Sequence, residues 1–369
     1  MSSIPNKVED AFKATIPYHE AIDPVELLDE TSNTIKRFIV LDEHQSDIAA
    51  LWVAACWFVD HIYTAPIALI NAPDKACGKT QLLTVMRKLS PKADQCAGLS
   101  SNALFRIIDK HKPTLFIDEI ETVLKDNEAL RGVLNAGHTR DSAFVWRSSS
   151  SKDDHELLRF SAWGMKAIAG INAISLADTI TSRSIIFEMR RKKPSEKVDR
   201  LRNAEPELFE TLQPKFARFA VDYAKSVQEA KPHMPDSLSD REQDNYEPLL
   251  QIAQVAGGHW PAKAYDAAMK ICETTESRSS STTELLRDIR EIFDSHEASK
   301  ISCNDLINML AKDIEKPWGT YHRGKTLSTR QLSNMLNPYG IQSKTVRVEG
   351  QAVRGYDLNQ FKDTFERYL

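Results

Sequence analysis

The sequence predicts an α/β fold in which a parallel sheet with crossover helices forms a P-loop NTPase core. Short apolar runs alternate with helical patterns between residues 64 and 190, as in sheets of this kind. One apolar run leads into Gly78-Lys79-Thr80, and another ends in the acids Asp118 and Glu119. Helical patterns precede and follow this region, and a helix-rich segment with a hairpin pattern closes the chain.

Composition narrows the class of protein. The chain has 369 residues, 41% of them hydrophobic, which suits two to three domains with real cores. Its formal net charge of -4 argues against a generally polycationic binder, so nucleic-acid contact would need a local basic patch. The five cysteines form no C-x-x-C pair, which favours a reduced, cytoplasmic protein without a zinc site. No run approaches the ~18 apolar residues of a membrane span, so we expect no membrane partner.

The first candidate site is the loop that follows the apolar run at 67–72. Backbone N–H groups of such a loop cradle the β-phosphate, a lysine reaches the β and γ oxygens, and a threonine ligates Mg²⁺. Pro73 replaces the usual first glycine, so a turn before a surface helix is the alternative. The residues expected to bind the nucleotide are Pro73, Asp74, Lys75, Ala76, Cys77, Gly78, Lys79, Thr80 and Gln81.

The second candidate site is the acidic end of the run at 113–119. Asp118 is expected to hold Mg²⁺ through water, together with Thr80, and Glu119 to polarise the attacking water as general base. The alternative is an Asp-Glu pair at an ordinary strand end. That alternative is less favoured because Gly-Lys-Thr lies about forty residues upstream. The pair therefore predicts ATP and Mg²⁺ as cofactors.

Two later residues are candidates for contacts near a γ-phosphate. Asn172 follows the apolar run at 166–171, where it would orient the attacking water or serve turn geometry after the strand. Arg183 is the candidate for reaching across a subunit boundary to stabilise charge on a neighbour's γ-phosphate. Arg140 and Arg147 compete for this role, and a surface ion pair is the alternative for each.

The chain divides into four predicted regions, with a Ser/Thr-rich joint before the last. They are an N-terminal helical collar at 1–63, a P-loop core at 64–190, a helical lid at 191–272 and a DNA-binding domain at 284–369. In the collar, Asp23 is expected to cap one helix, and Asp42 to cap a second that continues to His61. The basic run at 190–193 is expected to be a solvated connector, with phosphate contact as the alternative. Arg241 is the expected nucleotide-binding arginine of the lid.

The last region has the element order of a winged helix. Three amphipathic helical patterns precede a hairpin pattern with a Glu349-Gly350 turn. Between Trp318 and Arg354 there are six Lys/Arg and one acid, a local basic patch in an acidic chain. The residues expected to contact DNA are Arg323, Lys325, Arg330, Gln331, Asn334, Lys344, Arg347 and Arg354. Protein docking is the alternative use of such a domain.

Several of these segments together resemble one uncharacterised family of P-loop ATPases from phages, plasmids and integrated elements. The matching segments are 65–80, 113–119, 135–138, 183–185 and 245–250. Members of that family are often fused to primase-polymerase domains, and the resemblance covers about residue 35 to the end. It implies an AAA+-like core related to superfamily III helicases, with ATP on Gly78, Lys79 and Thr80. It also implies metal and water at Asp118 and Glu119. Ala76 departs from the family, where a glycine is usual.

Our leading hypothesis is an ATP-hydrolysing DNA motor, a helicase or replication initiator of a mobile element. It would act as a homo-oligomeric ring, for which a hexamer is one option, with DNA and replication proteins as partners. The competing hypothesis is a non-motor switch, in which ATP changes the oligomeric state or partner affinity of a DNA-binding regulator. The motor predicts a DNA-facing loop in the ring pore, and the polar run at 148–154 is the candidate.

Overall fold

The computed structural model describes residues 12–95, 101–124, 127–148, 157–171, 173, 178–279, 281–296, 298–313, 316–321, 325–348 and 350–369. The chain forms two compact units, Met1–Glu273 and Thr274–Leu369. Two candidate site residues, Asn172 and Arg323, lie outside the described residues, as do positions 149–154 of the candidate DNA-facing loop.

The first unit combines ten helices of the described chain with seven strands. The helices are α1 (Pro24–Phe38), α2 (Glu43–Trp57), α3 (Lys79–Leu89), α4 (Ser101–His111), α5 (Ile120–Val123), α6 (Glu128–Ala136), α7 (Asp178–Thr181), α8 (Pro206–Glu229), α9 (Asp240–Ala256) and α10 (Trp260–Ser279), the last of which runs past the unit boundary. The strands are β1 (Ile67–Ala72), β2 (Ala93–Gln95), β3 (Thr114–Ile117), β4 (Phe144–Ser148), β5 (Leu157–Ser161), β6 (Lys166–Ile171) and β7 (Ser184–Glu188).

A five-stranded parallel sheet forms the centre of this unit, in the order β2-β3-β6-β1-β7. Strand β6 lies between the strand that precedes the glycine-lysine loop and the strand that precedes the two acids. Ile117 is paired with Ile168, which is paired in turn with Leu69. Because parallel strands end at one edge, the loop and the acids share that edge, here called the carboxyl edge. The opposite edge, where β1 and β7 begin, is called the amino edge.

Helix α2 is the buried helix of the first unit, as its apolar composition predicts. Its residues from Ile48 to Ala55 are fully buried, and Trp52 Nε1 donates to the Pro66 carbonyl at 2.9 Å. The helix ends at Trp57, whereas the sequence predicted an end at His61. The side chain of Arg140 donates to the Val59 and Ile62 carbonyls just beyond. Those carbonyls are therefore satisfied without further helix.

The two caps predicted in the collar have different outcomes. Asp23 caps α1, because its Oδ1 accepts from the Val25 N–H at 2.8 Å. Asp42 precedes α2 but makes no side-chain cap hydrogen bond. Its carboxylate instead lies 3.0 Å from the guanidinium of Arg190. The ion pair connects the start of α2 to the segment after β7.

Strands β4 and β5 form an antiparallel hairpin outside the central sheet, with Trp146 paired to Arg159. The pattern of residues 143–147 predicts the first of these strands, whereas the second was not expected from the sequence. Val145 is buried on the inner side of the hairpin. On the outer side, Phe144 and Trp146 are exposed, with Trp146 at 59%. The guanidinium carbon of Arg159 lies 3.6 Å from the centre of the Phe144 ring.

Helices α8 and α9 pack on the helices that cover one face of the sheet. The lid over the nucleotide that the sequence predicts for residues 191–272 stays a prediction, and the two helices make contacts on the other side of the sheet helices and at the amino edge. Gln213 Nε2 on α8 donates to the Lys88 carbonyl at the C-terminal end of α3, at 2.7 Å. Asn245 Nδ2 on α9 donates to the Ser182 carbonyl, at the amino edge, at 3.1 Å. Apolar packing against α1, α2 and α3 fixes this position.

The second unit has a core of its own around a three-stranded antiparallel sheet, in the order β8-β10-β9. Its elements are α11 (Ser281–Ser295), β8 (Lys300–Ser302), α12 (Cys303–Lys312), α13 (Thr329–Leu336), β9 (Lys344–Val348), β10 (Gln351–Asp357) and α14 (Lys362–Tyr368). The three helices and the hairpin occur in the predicted order, and β8 and α14 are additional. Buried Asp288 accepts from Trp318 Nε1 at 2.6 Å and from Lys316 Nζ at 2.7 Å, which ties the helix α11 to the following loop.

Within the described part of the chain, no helix is long and apolar enough to cross a membrane. Among the described residues, Cys56, Cys77, Cys272 and Cys303 form no disulfide bond. Burial raises the pKa of the Cys303 thiol, and complete burial raises the pKa of the Cys56 thiol. Cys56 and Cys303 are therefore protonated at neutral pH.

Lys166, the first residue of β6, is fully buried without a carboxylate partner among the described residues. Its Nζ donates to the carbonyls of Gly137, Ala162 and Gly164 at 3.3, 3.0 and 2.7 Å. A side chain at Gly137 would collide with Lys166 Nζ and with the Ala162 carbonyl, so glycine is required there. Burial lowers the pKa of the Lys166 ammonium to about 7.

This lysine predicts a pH dependence of stability. Between about pH 7 and the ordinary lysine pKa near 10.5, the unfolded chain binds one proton more than the folded chain. The Lys166 contribution to the free energy of unfolding should therefore rise with pH, by at most about 1.4 kcal/mol per unit. Denaturant unfolding of the wild type and Lys166→Met at several values from about pH 7 to 9.5 checks this. As pH rises, the free energy of unfolding of the wild type should increase relative to that of Lys166→Met. If the two free energies changed in parallel with pH, the lowered pKa of Lys166 would be contradicted.

Candidate nucleotide site

The glycine-lysine loop connects β1 to α3 at the carboxyl edge. Positions 73–76 are exposed, and α3 begins at Lys79 directly after Gly78. Gly78 has φ +87° and Ala76 has φ +62°, so both lie in the left-handed region. A glycine adopts this conformation without strain, whereas an alanine does not. The backbone at Ala76 thus has the conformation that explains why glycine is usual at this position.

The structure brings the predicted lysine, threonine and acids together. Thr80 Oγ1 donates to Asp118 Oδ2 at 2.8 Å, although β6 lies between the strands that precede these two residues. The other oxygen of Asp118 accepts from the Glu119 N–H at 2.9 Å. Lys79 Nζ lies 3.4 Å from the Asp74 carbonyl and donates to it, so the ammonium is folded over the loop. The Thr80–Asp118 hydrogen bond therefore joins two separate sequence motifs, and Lys79 and Glu119 are the chain neighbours of this pair.

The oxygen atoms of this pair fit Mg²⁺. Mg²⁺ in nucleotide sites is usually held by one or two protein oxygens together with phosphates and water. Thr80 and Asp118 supply a hydroxyl and a carboxylate at hydrogen-bond distance from each other. These two protein oxygens suit a metal ion that phosphate and water also bind. Among the described residues there is no group of three or more His, Cys, Asp or Glu that could hold a metal ion.

Glu119 has an unusual backbone conformation. It lies at φ +51° and ψ +46°, the left-handed region, immediately before α5. For a residue with a Cβ this costs on the order of 1–3 kcal/mol, and such strain concentrates at functional sites. The side chain is exposed at the carboxyl edge beside Asp118. This position leaves the carboxylate accessible to water.

Glu121 is a neighbour that the sequence analysis missed. Its Oε1 accepts from the Ile171 N–H at 3.3 Å, at the end of β6. Its Oε2 is buried and has no hydrogen-bond partner among the described residues. A side chain at Gly170 would collide with this carboxylate. Glu121 therefore fixes the end of the strand that precedes Asn172. In the sequence, its position two residues after Glu119 could have indicated that it lies near the site.

Arg191 is a second residue near the loop that was not predicted as a site residue. Its Nη2 lies 3.5 Å from Asp74 Oδ2 and donates to the Lys75 carbonyl at 3.3 Å. The basic run at 190–193 was expected to be a connector, with phosphate contact as the alternative. The structure places one of its cations beside the loop.

Arg183 and Arg241 lie at the amino edge. The Arg183 carbonyl accepts from the N–H of Ile67, the first residue of β1, at 3.0 Å. Five residues of extended strand separate Ile67 from Ala72, a distance of about 16 Å. Arg241 lies one helical turn before Asn245, which binds the carbonyl of the residue preceding Arg183. Helix packing therefore places Arg241 near the amino edge, and its contact with a nucleotide stays a prediction.

The two competitors of Arg183 are held by contacts within the unit. Arg140 donates to the Val59 and Ile62 carbonyls, and its guanidinium carbon lies 4.6 Å from the centre of the Trp163 ring. The Arg147 guanidinium carbon lies 4.4 Å from the centre of the Phe105 ring. These contacts favour structural roles for both arginines.

The expected DNA-binding residues of the second unit have mixed surroundings. Arg330, Asn334 and Arg354 line one cleft of about 700 Å³ between α12, α13 and β10. Gln331 is occupied instead as part of a capping box, because its Oε1 accepts from Ser328 at 2.9 Å and 2.7 Å. Lys344 is ion-paired with Asp357 at 3.7 Å. The two remaining described residues of the set are exposed: Lys325 and Arg347.

Two sequence comparisons place the chain among known proteins. A family described as "Protein of unknown function (DUF3631)" matches residues 188–368. An "Uncharacterized 28.9 kDa protein in xis 5'region" from Saccharopolyspora erythraea is 35% identical over 185 residues, which cover 49% of this chain and 68% of that protein. The chain belongs to the same family as this protein. The DUF3631 match spans α8 to α10 and the second unit and does not include the glycine-lysine loop.

Solved structures give a weaker likeness. An apo structure of the NrS-1 C terminal region is 13% identical, with a TM-score of 0.37, and the match covers 95% of this chain and 78% of that one. A structure described as "SCCmec type IV Cch - active helicase" is 11% identical, with a TM-score of 0.45, over 98% of this chain and 74% of that one. At these scores the likeness carries no functional argument for this member of the family.

The backbone at Ala76 predicts the effect of two substitutions. Ala76→Gly removes a Cβ from a left-handed residue, so the free energy of unfolding should stay constant or rise by up to about 1 kcal/mol. Ala76→Val places a branched side chain at the same φ and should lower it by about 1–3 kcal/mol. Denaturant unfolding of both variants checks this, and a glycine variant less stable than the valine variant would contradict it.

Proposed function

We propose that this chain is a magnesium-dependent ATPase with a P-loop core, and that it uses ATP hydrolysis to act on DNA. The observation that carries the proposal is the 2.8 Å hydrogen bond between Thr80 and Asp118, beside Lys79 and Glu119 at one edge of a parallel sheet. Two motifs that are remote in sequence lie side by side there, which supports a site for ATP hydrolysis. The order of the strands, with β6 between β1 and β3, also suits an AAA+-like core.

Each residue of the site has a role in this proposal. Backbone N–H groups of the loop and the Lys79 ammonium bind the β- and γ-phosphates. Thr80 and Asp118 would hold Mg²⁺, which neutralises charge on the phosphates when it is bound. Glu119 accepts a proton from the attacking water, and its exposed position leaves room for that water. Asn172 orients the water, and Glu121 fixes the end of the strand that precedes it.

The β4–β5 hairpin and the second unit are the proposed DNA contacts. The outer side of the hairpin carries Phe144, Trp146 and Arg159, two exposed rings with a guanidinium between them. Bases of single strands stack on such rings, and arginine adds a cation. The hairpin leads into the polar run at 148–154, the candidate DNA-facing loop. The second unit, with the helix order of a winged helix, would add duplex contacts at the cleft of Arg330 and Arg354.

We place the chain in a mobile genetic element, as a helicase or replication initiator, and the description of its relative as a protein of a xis 5' region supports this. The competing function is a switch, in which ATP controls assembly or partner binding without movement on DNA. The exposed aromatic side of the hairpin favours the motor, because a switch requires no such surface in the ATPase unit.

The role of Glu119 predicts a separation of binding from turnover. Glu119→Gln keeps the size of the side chain but removes the base, so turnover should fall by about 10²- to 10⁴-fold while ATP affinity is retained. Steady-state hydrolysis and calorimetric titration with ATP and Mg²⁺ measure the two quantities. Glu128→Gln, which changes an exposed acid in the first turn of α6, is the matched control. Unchanged turnover in Glu119→Gln would remove this residue from the mechanism.

The hairpin predicts a specific loss of DNA binding. Trp146→Ala should weaken single-stranded DNA binding by about tenfold or more, since stacking contributes about 1–3 kcal/mol per base. Basal ATP hydrolysis without DNA should remain. Val221→Ala, which removes an exposed apolar side chain on α8, is the control. Fluorescence anisotropy with a labelled oligonucleotide gives the affinity, and equal affinities of the two variants would exclude the hairpin as a DNA contact.

A further inference from the structure

Asp74, in the glycine-lysine loop, accepts hydrogen bonds at each of its three oxygen atoms. Its Oδ1 accepts from the N–H of Lys75 at 2.6 Å, and its carbonyl accepts from Lys79 Nζ at 3.4 Å. Its Oδ2 accepts from Nη2 of Arg191 at 3.5 Å. One acidic residue therefore holds a backbone N–H group of the loop and two cations.

The three donors that Asp74 holds are of the kind that bind phosphate. Backbone N–H groups and the lysine of such a loop are its phosphate ligands. A guanidinium presents a planar fork of N–H groups that matches the oxygens of a phosphate. Carboxylate and phosphate oxygens are both anionic acceptors. The Asp74 carboxylate and a nucleotide phosphate therefore compete for the same donors.

The backbone on both sides of Arg191 is fixed beside the loop. The N–H of Met189 donates to the Asn71 carbonyl at 2.8 Å and so extends the pairing of β7 with β1. The N–H of Lys193 donates to Glu196 Oε2 at 2.7 Å. Between these two points, Arg191 Nη2 also donates to a carbonyl of the loop at 3.3 Å. The guanidinium therefore lies next to the loop, at the carboxyl edge.

The ion pair of Arg191 and Asp74 can exchange at little cost. The two side chains are 66% and 69% exposed, and exposed ion pairs contribute little to stability. The other described acids around this segment are bonded to neighbours: Asp42 and Glu196 to Arg190, and Glu188 to Asn71. Among the described acids, Asp74 is therefore the partner of this guanidinium, and a phosphate, which carries more charge, can replace it.

We propose that Arg191 binds a phosphate of the nucleotide held by its own chain, and that Asp74 is the partner it leaves on binding. The phosphate oxygen replaces the Asp74 carboxylate as the acceptor of the guanidinium. Asp74 thus lowers the affinity of the loop for nucleotide, whereas Arg191 raises it. This inference rests on the proposed ATPase function, and it adds to that site a residue from the segment after β7 and an opposing acid within the loop.

Opposite shifts in nucleotide affinity test this exchange. Arg191→Gln should weaken the binding of ATP with Mg²⁺ by about tenfold or more, because a charge-assisted hydrogen bond is lost. Asp74→Asn should strengthen it by about two- to fivefold, because the competing anion is removed. Arg191→Lys, which keeps the charge without the fork, should lie between the wild type and Arg191→Gln. Isothermal titration calorimetry of the purified full chain measures these affinities.

The double variant shows whether the two residues act on each other. If Arg191 moves from Asp74 to the phosphate, the affinity gained by Asp74→Asn should be smaller in the Arg191→Gln background than in the wild type. An equal gain in both backgrounds would mean that Asp74 acts on the nucleotide independently of Arg191. That result would overturn the exchange.

Two controls separate phosphate binding from a general effect of charge or structure. Lys192→Gln removes an exposed cation of the same basic run, and its affinity for ATP should stay close to that of the wild type. The urea midpoint of unfolding of Arg191→Gln should equal that of the wild type, because an exposed ion pair contributes little to stability. A structural role of Arg191 would lower this midpoint together with the affinity.

The outcomes distinguish the inference from its foundation. Absence of ATP binding by the wild type would overturn the proposed function itself. A wild type that binds ATP, with unchanged affinity in Arg191→Gln or with an equal loss in Lys192→Gln, would overturn the inference alone. A weaker affinity of Arg191→Gln for a labelled oligonucleotide, with unchanged affinity for ATP, would assign this cation to DNA and would also overturn it.

Discussion

The candidate site depends on the hydrogen bond between Thr80 and Asp118, which joins two strands that are not neighbours. Because β6 lies between β1 and β3, the helix that begins at Lys79 must reach across one strand to meet the acid. Parallel pairing fixes all three strand ends at one edge. The loop, the acids and the end of β6 therefore lie side by side at the carboxyl edge.

The same sheet separates the two halves of the proposed catalytic machinery. The loop and Glu119 lie at the carboxyl edge, whereas Arg183 lies at the amino edge, where its carbonyl accepts from the first residue of β1. The length of β1, about 16 Å, is too great for the Arg183 side chain to span. If Arg183 contacts a γ-phosphate, as the sequence analysis proposed, that nucleotide belongs to another copy of the chain.

The sequence was sufficient for the local motifs, because their chemistry requires a fixed spacing. It predicted the Gly78-Lys79-Thr80 loop, the acids after β3 and the cap at Asp23. It could not predict where α9 docks, because apolar packing against other helices decides this, and α9 carries Arg241 near the amino edge. The end of α2 depends on Arg140, some eighty residues away. Strand β5 was missed because Leu157 and Arg159 lie on the same side of it, so its sequence does not alternate between apolar and polar residues. Its pairing with β4 makes it a strand.

The most direct test of the central claim is steady-state ATP hydrolysis by the purified chain, with Mg²⁺, in the presence and absence of single-stranded and duplex DNA. The account predicts magnesium-dependent hydrolysis that single-stranded DNA stimulates strongly. Stimulation should weaken as salt rises, because backbone contacts release counterions. Absence of hydrolysis under all these conditions would contradict the assignment of the loop and the acids as an ATPase site. Hydrolysis indifferent to DNA would contradict the motor and leave the switch.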